Sequence, residues 1–437
     1  MTIRRLTTPC VTRSQLHSRE ALALLLPLLA LGACAPAVGS LAPHGADSGG
    51  SDDVQGPLGG GGEDRLGITF SDAMPLDRVA ELHAIAVADL DGDGRPDLVS
   101  SGDDGLLVTR FSDGAGGFRD PREDGFGLAA GELVARAQEA LWGDDGSVSE
   151  VRFEQLIPSD LDGDWDDDLV VSASLWRSDG SFGGFVGVIR PGIFGMVDVE
   201  LLMARSGRVI AEPVADLDGD GLKEVVVHSD ATLRIAWGAE ASQLTTLGEE
   251  PSGGVYPQAW TMDINQDGRR DLVTAHNGGF GVSDVSACLG TGAGLGSPQT
   301  VTGDLFALQV WADVPPGEFA SELIFAMPAE PAGLRRLSAA PEPVLSAQMD
   351  SDIGVDYLIH GFFGESGRSM ALAPSAGSAV AVQSDGADRL EVVPLQAPTL
   401  AGDIFTGDLD GDGRDDLIQA RWENDGMVVE WLRNISG

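Results

Sequence analysis

Oxygen-bearing side chains recur in this chain at fixed places within a nine-residue frame, and the frame is written five times. The copies carry Asp89, Asp91, Asp93 and Asp97; Asp160, Asp162, Asp164 and Asp168; Asp216, Asp218, Asp220 and Glu224; Asp263, Asn265, Asp267 and Asp271; and Asp408, Asp410, Asp412 and Asp416. In each copy these residues stand at positions 1, 3, 5 and 9. Carboxylates crowded this closely repel one another unless a cation lies among them. Calcium accepts about six to eight oxygens at ~2.3–2.6 Å in a forgiving geometry. The spacing therefore predicts about five Ca2+ sites, with all twenty residues as metal ligands.

The frame is not that of an EF-hand, which requires a bidentate Glu at position 12 and a flanking helix. Position 12 is Ser100, Val171, Val227, Thr274 and Gln419. Short apolar runs flank each loop instead, such as Ala84-Ile85-Ala86-Val87-Ala88 before the first and Leu98-Val99 after it. Runs of this kind bounded by turn residues read as buried strands. Each loop is thus expected to close a strand–loop–strand hairpin. Gly94, Gly221, Gly268 and Gly413 at position 6 suit a sharp turn of positive φ, and Trp165 in the second loop departs from that rule.

With 69 acidic and 27 basic residues, the 437-residue chain has a formal charge of −42. Phosphate contact needs a basic surface, so a nucleic-acid binder is excluded, and adsorption to anionic lipid is disfavoured. A hydrophobic fraction of 43 % is enough to bury a large core. The N-terminal stretch, with Arg4, Arg5, Arg13 and Arg19 ahead of an apolar run over 21–31, reads as a targeting segment that is too short to span a bilayer. It ends Leu31-Gly32-Ala33-Cys34, which resembles the lipobox of bacterial lipoproteins. That resemblance implies a signal peptide over 1–33, lipidation at Cys34 and an exported, lipid-anchored protein. Ala35 after the cysteine favours the outer membrane. Residues 34–64, rich in Gly and Ser, form a flexible linker. Cys288 is then the sole cysteine of the body over 65–437, so no internal disulfide is available and the fold needs another staple.

Loop starts at 89, 160, 216, 263 and 408 leave one long gap, in which Gln348–Asp356 is a degraded copy and Trp311–Phe325 a weaker one. Counting both gives seven units. Between loops, Gly-rich turns recur with aromatic residues, as in Phe111-Ser-Asp-Gly-Ala-Gly-Gly-Phe118 and Trp176 to Phe185. Units of four short strands at this period are the signature of propeller blades. Loops and Gly–Phe segments together resemble the FG-GAP/VCBS repeat, the blade of integrin-α-type propellers. The resemblance implies an all-β fold, a seven-bladed β-propeller of four-stranded blades with calcium-binding hairpin loops. The chain ends one strand short of a full blade, and Arg65–Phe70 is expected to supply it.

No nucleophile elbow, His-Glu-x-x-His, P-loop or dinucleotide fingerprint is present. Trp260 and Trp311 before loop positions, and His83, His228, His276 and His360 beside them, read as packing residues, and Asn434-Ile-Ser436 is a glycosylation triplet of no weight at a terminus. The expected function, by resemblance, is a binding, adhesion or scaffold module for a protein or carbohydrate ligand, with calcium structural and no enzyme activity. The alternatives are a carbohydrate-active enzyme of the polysaccharide-lyase type and a structural subunit of an envelope complex.

Overall fold

The computed structural model describes residues from Ile68 to Ser436, with interruptions in turns and, between 303 and 401, in most connections between strands. Cys34, the leader and the linker lie outside the described residues. Strands dominate, and most gather into antiparallel sheets in chain order. The first sheet holds Leu82–Ala88, Asp97–Gly102 and Leu107–Arg110. The second holds Val148–Ser159, Asp168–Arg177, Phe182–Pro191 and Val197–Ser206. Val209–Ala215, Glu224–Ser229, Thr232–Ala236 and Leu244–Glu249 make the third. Gln258–Met262, Asp271–Asn277, Val282–Cys288 and Gln299–Thr302 make the fourth. A fifth begins with Gln309–Asp313 and Glu322–Met327, and a sixth with Ile359–Gly361 and Met370–Leu372. In the seventh, Asp403–Gly407, Asp416–Glu423 and Gly426–Leu432 are joined by Met74–Val79 from the other end of the chain.

The sheets stand side by side with their first strands inward. The first strand of the sixth sheet touches that of the seventh, the seventh touches the first, the first the second, the second the third, and the third the fourth. Gly407 is required at one such crossing, because a Cβ there would lie 2.8 Å from Val87 Cβ on the neighbouring first strand. Apolar side chains fill the gaps between sheets. Val186, Leu202, Val209, Ala211 and Val225 form one buried cluster between the second and third.

The N-terminal strand does complete the last sheet, but it is not Arg65–Phe70. Met74–Val79 pairs antiparallel with Gly426–Leu432, in register Met74↔Trp431 through Val79↔Met427. Ile68–Thr69 instead pairs in parallel with Leu395–Gln396, and Phe70 bridges Asn434. The outer edge of the seventh sheet is thereby covered by the opposite chain end.

Two further differences concern the weak regions. The first sheet has three strands, and the chain continues into a helix, Gly125–Trp142, that the sequence reading passed over. Ala129, Ala130, Leu133 and Ala137 recur at helical spacing and are buried against Leu107, Phe185, Ile189 and Val199. Glu132 and Arg136 form an i,i+4 pair at 2.6 Å, and Gly143 (φ 65°) ends the helix by donating its N–H to Glu139 O at 2.8 Å. The degraded copy at 348–356 is also displaced. Its Met349–Asp350 pairs with Gly333–Leu334 of the fifth sheet, and Ile359–Gly361, which follows the copy, is the edge strand beside the seventh sheet. Among the described residues no helix is long and apolar enough to cross a membrane.

Candidate metal centres and the opposite face

Each of the five clear loops joins the first strand of a sheet to its second. Position 1 follows the last residue of the first strand, and position 9 begins the second, at Asp97, Asp168, Glu224, Asp271 and Asp416. The backbone turns twice through the left-handed region. Positions 4 and 6 have positive φ in every copy: Gly92 and Gly94, Gly163 and Trp165, Gly219 and Gly221, Gln266 and Gly268, Gly411 and Gly413. Position 6 is legible in the sequence, and position 4 adds a second turn, glycine in four copies and Gln266 in the other. Among the described residues the only non-glycines with positive φ are Trp165 (φ 79°) and Gln266 (φ 57°), one at each of these positions.

Backbone N–H groups aim inward at the carboxylates. Asp89 accepts from Asp93 N at 3.1 Å and Gly94 N at 2.8 Å; Asp263 and Asp408 accept the equivalent pairs. In the second and third loops position 1 accepts from position 4 instead, Gly163 N at 2.7 Å and Gly219 N at 2.6 Å. The position 5 acid accepts from the N–H of position 7 throughout, as Asp220 does from Leu222 N at 2.8 Å.

Position 9 is the buried pivot. All five of these carboxylates are at most 2 % exposed. One oxygen accepts the N–H of position 2, at 3.1 Å from Leu90, Leu161 and Leu409, 2.9 Å from Ile264 and 2.6 Å from Leu217. The other, in three loops, accepts the N–H two residues past the end of the third strand: Ser112 at 2.9 Å, Gly290 at 2.8 Å and Asn434 at 2.6 Å. The acid therefore ties three strand ends together. Burial pushes Asp97, Asp168 and Glu224 up to about 7 and Asp416 up to about 8, against the lowering effect of these N–H donors. Asp89 is raised to about 6 by burial with Asp93, Asp167 and Asp91 beside it, and Asp271 and Asp408 are raised by burial as well.

The oxygens converge as an ion would require. In Asp89–Asp91–Asp97, Asp160–Asp162–Asp164, Asp216–Asp218–Glu224 and Asp408–Asp410–Asp416, one oxygen from each residue lies within 4.8 Å of the others. Two ligands on opposite sides of a calcium ion are separated by about twice the ~2.4 Å bond, so the residues fit the ion. The second loop gathers positions 1, 3 and 5 while Asp168 stays in the strand, and the other three gather 1, 3 and 9. The fourth set, Asp263, Asn265, Asp267 and Asp271, has an amide at position 3, whose oxygen accepts from Asp267 N at 3.1 Å. Asp93 and Asp412 at position 5 lean instead toward Arg95 and Arg414 two residues on, at 3.4 and 2.7 Å. Arg433 Nε lies against Asp410.

Position 8 was not singled out in the sequence, yet it links successive loops. Asp167 of the second loop accepts from Asp89 N at 3.0 Å and returns its own N–H to Asp89 O at 2.8 Å. Arg270 of the fourth donates to Asp216 O of the third at 2.6 Å. Lys223 of the third feels Asp167 and Asp160 of the second, which oppose the lowering of its pKa by burial. The shared geometry is position 8 of one loop against position 1 of the loop before it, so the loops form one connected acidic face. Antiparallel order puts the other hairpin turns, Arg177–Phe182 and Ser229–Thr232, at the opposite end.

Trp260, Cys288, His228 and Asn434 are structural. Trp260 is buried between strands, Cys288 is buried with Leu272 and Leu233, and His228 is 3 % exposed. Asn434 is 1 % exposed and its amide donates to Phe363 O and Asp415 O at 3.0 Å each, so it is built into the fold. Trp311 lies on the first strand of the fifth sheet.

Residues 216–274, which run from the third loop through the fourth, match the family of FG-GAP-like repeats. The chain carries an FG-GAP-like repeat. With its sheets side by side, first strands inward and hairpin loops on one face, the fold is a β-propeller. No curated protein matches the chain by sequence. Among solved structures it is similar to an Agrocybe aegerita lectin described as recognising non-reducing terminal N-acetylglucosamine, at 15 % identity and a TM-score of 0.51, over 81 % of this chain and 94 % of that one. It is also similar to BBS1N in complex with ARL6DN, at 11 % identity and a TM-score of 0.47, over 85 % of this chain and 99 % of that one. The soluble aldose sugar dehydrogenase of Escherichia coli aligns at 12 % identity with a TM-score of 0.38, over 83 % of this chain and 99 % of that one.

Proposed function

We propose that this FG-GAP propeller has seven blades, is stapled by calcium at its hairpin loops, and acts as a binding module for a carbohydrate or protein ligand. The observation that carries the metal is the convergence of carboxylate oxygens to within 4.8 Å in four loops whose backbone turns alike. The residues that would hold the ions are the position 1, 3, 5 and 9 oxygens. The ion would supply positive charge where buried acids otherwise meet, and the chain's own N–H donors orient those acids. The seven sheets of three or more strands support the blade number. A binding role is supported by the fold shared with a lectin. In the same reading the chain is exported and anchored by lipid at Cys34, with ligand binding and no catalysis as its task.

The test is retention of calcium-loaded protein on an array of immobilised glycans and envelope proteins, with chelator-treated protein in parallel. Saturable retention of a defined ligand class, with loss on chelation tracking loss of fold, is the expected result. Folded, calcium-loaded protein that binds nothing, or that turns over a glycan, overturns the reading. Radiolabelled fatty acid should enter the natural chain and not Cys34→Ser.

A further inference from the structure

We propose that Asp167 is a positioning residue that couples calcium binding in the first and second loops, so that their two ions bind as a cooperative pair. The inference rests on the calcium reading above. Asp167 belongs to neither set of converging oxygens. It is 8 % exposed and bonds twice across the sheet boundary to one residue of the first loop. Its carboxylate accepts from Asp89 N at 3.0 Å, and its own N–H donates to Asp89 O at 2.8 Å. Asp89 is one of the three residues whose oxygens converge in that loop. The next residue, Asp168, is 2 % exposed and accepts from Leu161 N at 3.1 Å, which fixes the peptide that follows Asp160. Asp160 belongs to the converging set of the second loop. One buried dipeptide, Asp167-Asp168, therefore holds position 1 of both loops.

The first and second loops are also in closer contact than their neighbours. Position 7 of the third loop rests on position 4 of the second, where a Cβ at Gly163 would lie 3.8 Å from Leu222 Cδ2, an ordinary contact. At the same place between the first and second loops, a Cβ at Gly92 would run into Asp166 Oδ1. Pro96 of the first loop only brushes the seventh, with its Cδ 3.8 Å from a Cβ at Gly411. Arg270 reaches Asp216 O at 2.6 Å by the end of a long side chain, whereas Asp167 is joined to Asp89 through main chain and side chain together. An ion in the first loop fixes Asp89, and through Asp167 it orders the dipeptide and Asp160 before the second ion arrives. The second ion then has less to order, which is positive cooperativity. The two cations repel each other, and the carboxylate of Asp167, standing between Asp89 and its own loop, opposes that repulsion.

The second loop carries its own reporter, because Trp165 stands at its position 6 and an indole beside a bound terbium ion sensitises the metal's luminescence. The experiment titrates full-length protein with terbium(III), a calcium surrogate, and takes the luminescence that Trp165→Phe removes as the occupancy of the second loop. The luminescence that remains belongs to other loops and reports that the fold is intact. Disabling the first loop with Asp91→Asn should weaken the second loop by about tenfold, a usual size for coupling between sites. In an Asp167→Ala background the same change should weaken it by less than about twofold. Asp167→Asn keeps an acceptor for Asp89 N and should restore the sensitivity. A through-space effect of the lost Asp91 charge would be as large with Asp167→Ala as without it, and that result overturns the proposal. So does a second loop indifferent to Asp91→Asn in the otherwise natural chain, an arm that needs no change at Asp167 and stands even if Asp167→Ala does not fold. Terbium luminescence that Trp165→Phe leaves unchanged at every concentration would instead remove the metal from the second loop, and the calcium reading there would fall together with this one.

Discussion

Removing divalent cations should make the stability of this protein fall as pH rises, which is opposite to the usual behaviour of a protein rich in paired carboxylates. Asp97 and Glu224 are buried and their pKa values are pushed up to about 7 in the folded chain, against 3.8 and 4.5 for the free side chains. A folded-state pKa above the unfolded one means the native state holds the proton more tightly. The contribution of each acid is then fully present below pH 4 and is lost as pH rises through 7. At 1.36 kcal/mol per unit, each costs roughly 4 kcal/mol at the top of that window, as an upper bound. Total stabilities are about 5–15 kcal/mol, so a few such sites suffice to unfold the ion-free chain near pH 8. In the proposed reading calcium reverses the sign. It must displace those protons, so its stabilising effect grows with pH over the same interval. Urea unfolding followed by circular dichroism, with calcium in excess or removed by dialysis, at about pH 5 and about pH 8, measures all four corners. The gap between loaded and ion-free protein should be small at the lower pH and several kcal/mol at the higher. An ion-free protein equally stable at both, or a calcium effect as large at pH 5 as at pH 8, would refute the coupling of buried acid to ion.

Trp165 is 70 % exposed and holds a left-handed conformation that glycine holds in four of the five loops, so Trp165→Gly should raise stability by about 1 kcal/mol, read as a higher urea midpoint with unchanged slope. Leu133 of the helix is fully buried, and a Cβ at Gly187 would lie 2.7 Å from its Cδ2. Leu133→Ala should cost about 2–5 kcal/mol by leaving a cavity and Gly187→Ala about 1–3 kcal/mol by overpacking, and combining the two should cost less than their sum in a double-mutant cycle. Deleting the chain through Val79 removes the strand paired with Gly426–Leu432 and bares the edge that carries Val429 and Trp431. The truncated protein should aggregate on light scattering at temperatures where the full chain stays monodisperse.

The loops were legible because their chemistry is local. A nine-residue frame carries its own acids and its own glycine at position 6, and Asp89 to Asp97 meet without help from the rest of the fold. What was missed depends on contacts between units. Position 8 looks arbitrary in sequence, as Pro96, Asp167, Lys223, Arg270 and Asp415, and acquires a role only once the next sheet places it over position 1 of the loop before. The closing strand is expected at 65–70, which precedes the first loop and reads as a spare outer strand. Met74–Val79, with Asp77 and Arg78, takes the outer position, where one side of a strand faces water and polar residues are tolerated. The helix was missed for another reason. Ala129, Ala130, Leu133, Val134 and Ala137 carry the 3.6-residue period plainly, but a repeat of four-stranded units has no place for a helix between its first and second loops.

The two ends of the sheets now carry opposite chemistry, and the arrangement has a physical logic. Alternating turns in an antiparallel sheet send the first hairpin and the second to opposite ends, so a repeat that concentrates acid in one turn keeps those acids at one end, with scattered acids such as Asp179 at the other. The loops raise local negative potential where Asp89, Asp167 and Asp160 meet across successive sheets. Arginines placed among those loops would compete with a bound cation, as Arg433 does against Asp410. At the far end arginines meet carboxylates of the strands instead: Arg208 lies 2.6 Å from Glu154 and Arg152 3.6 Å from Glu150.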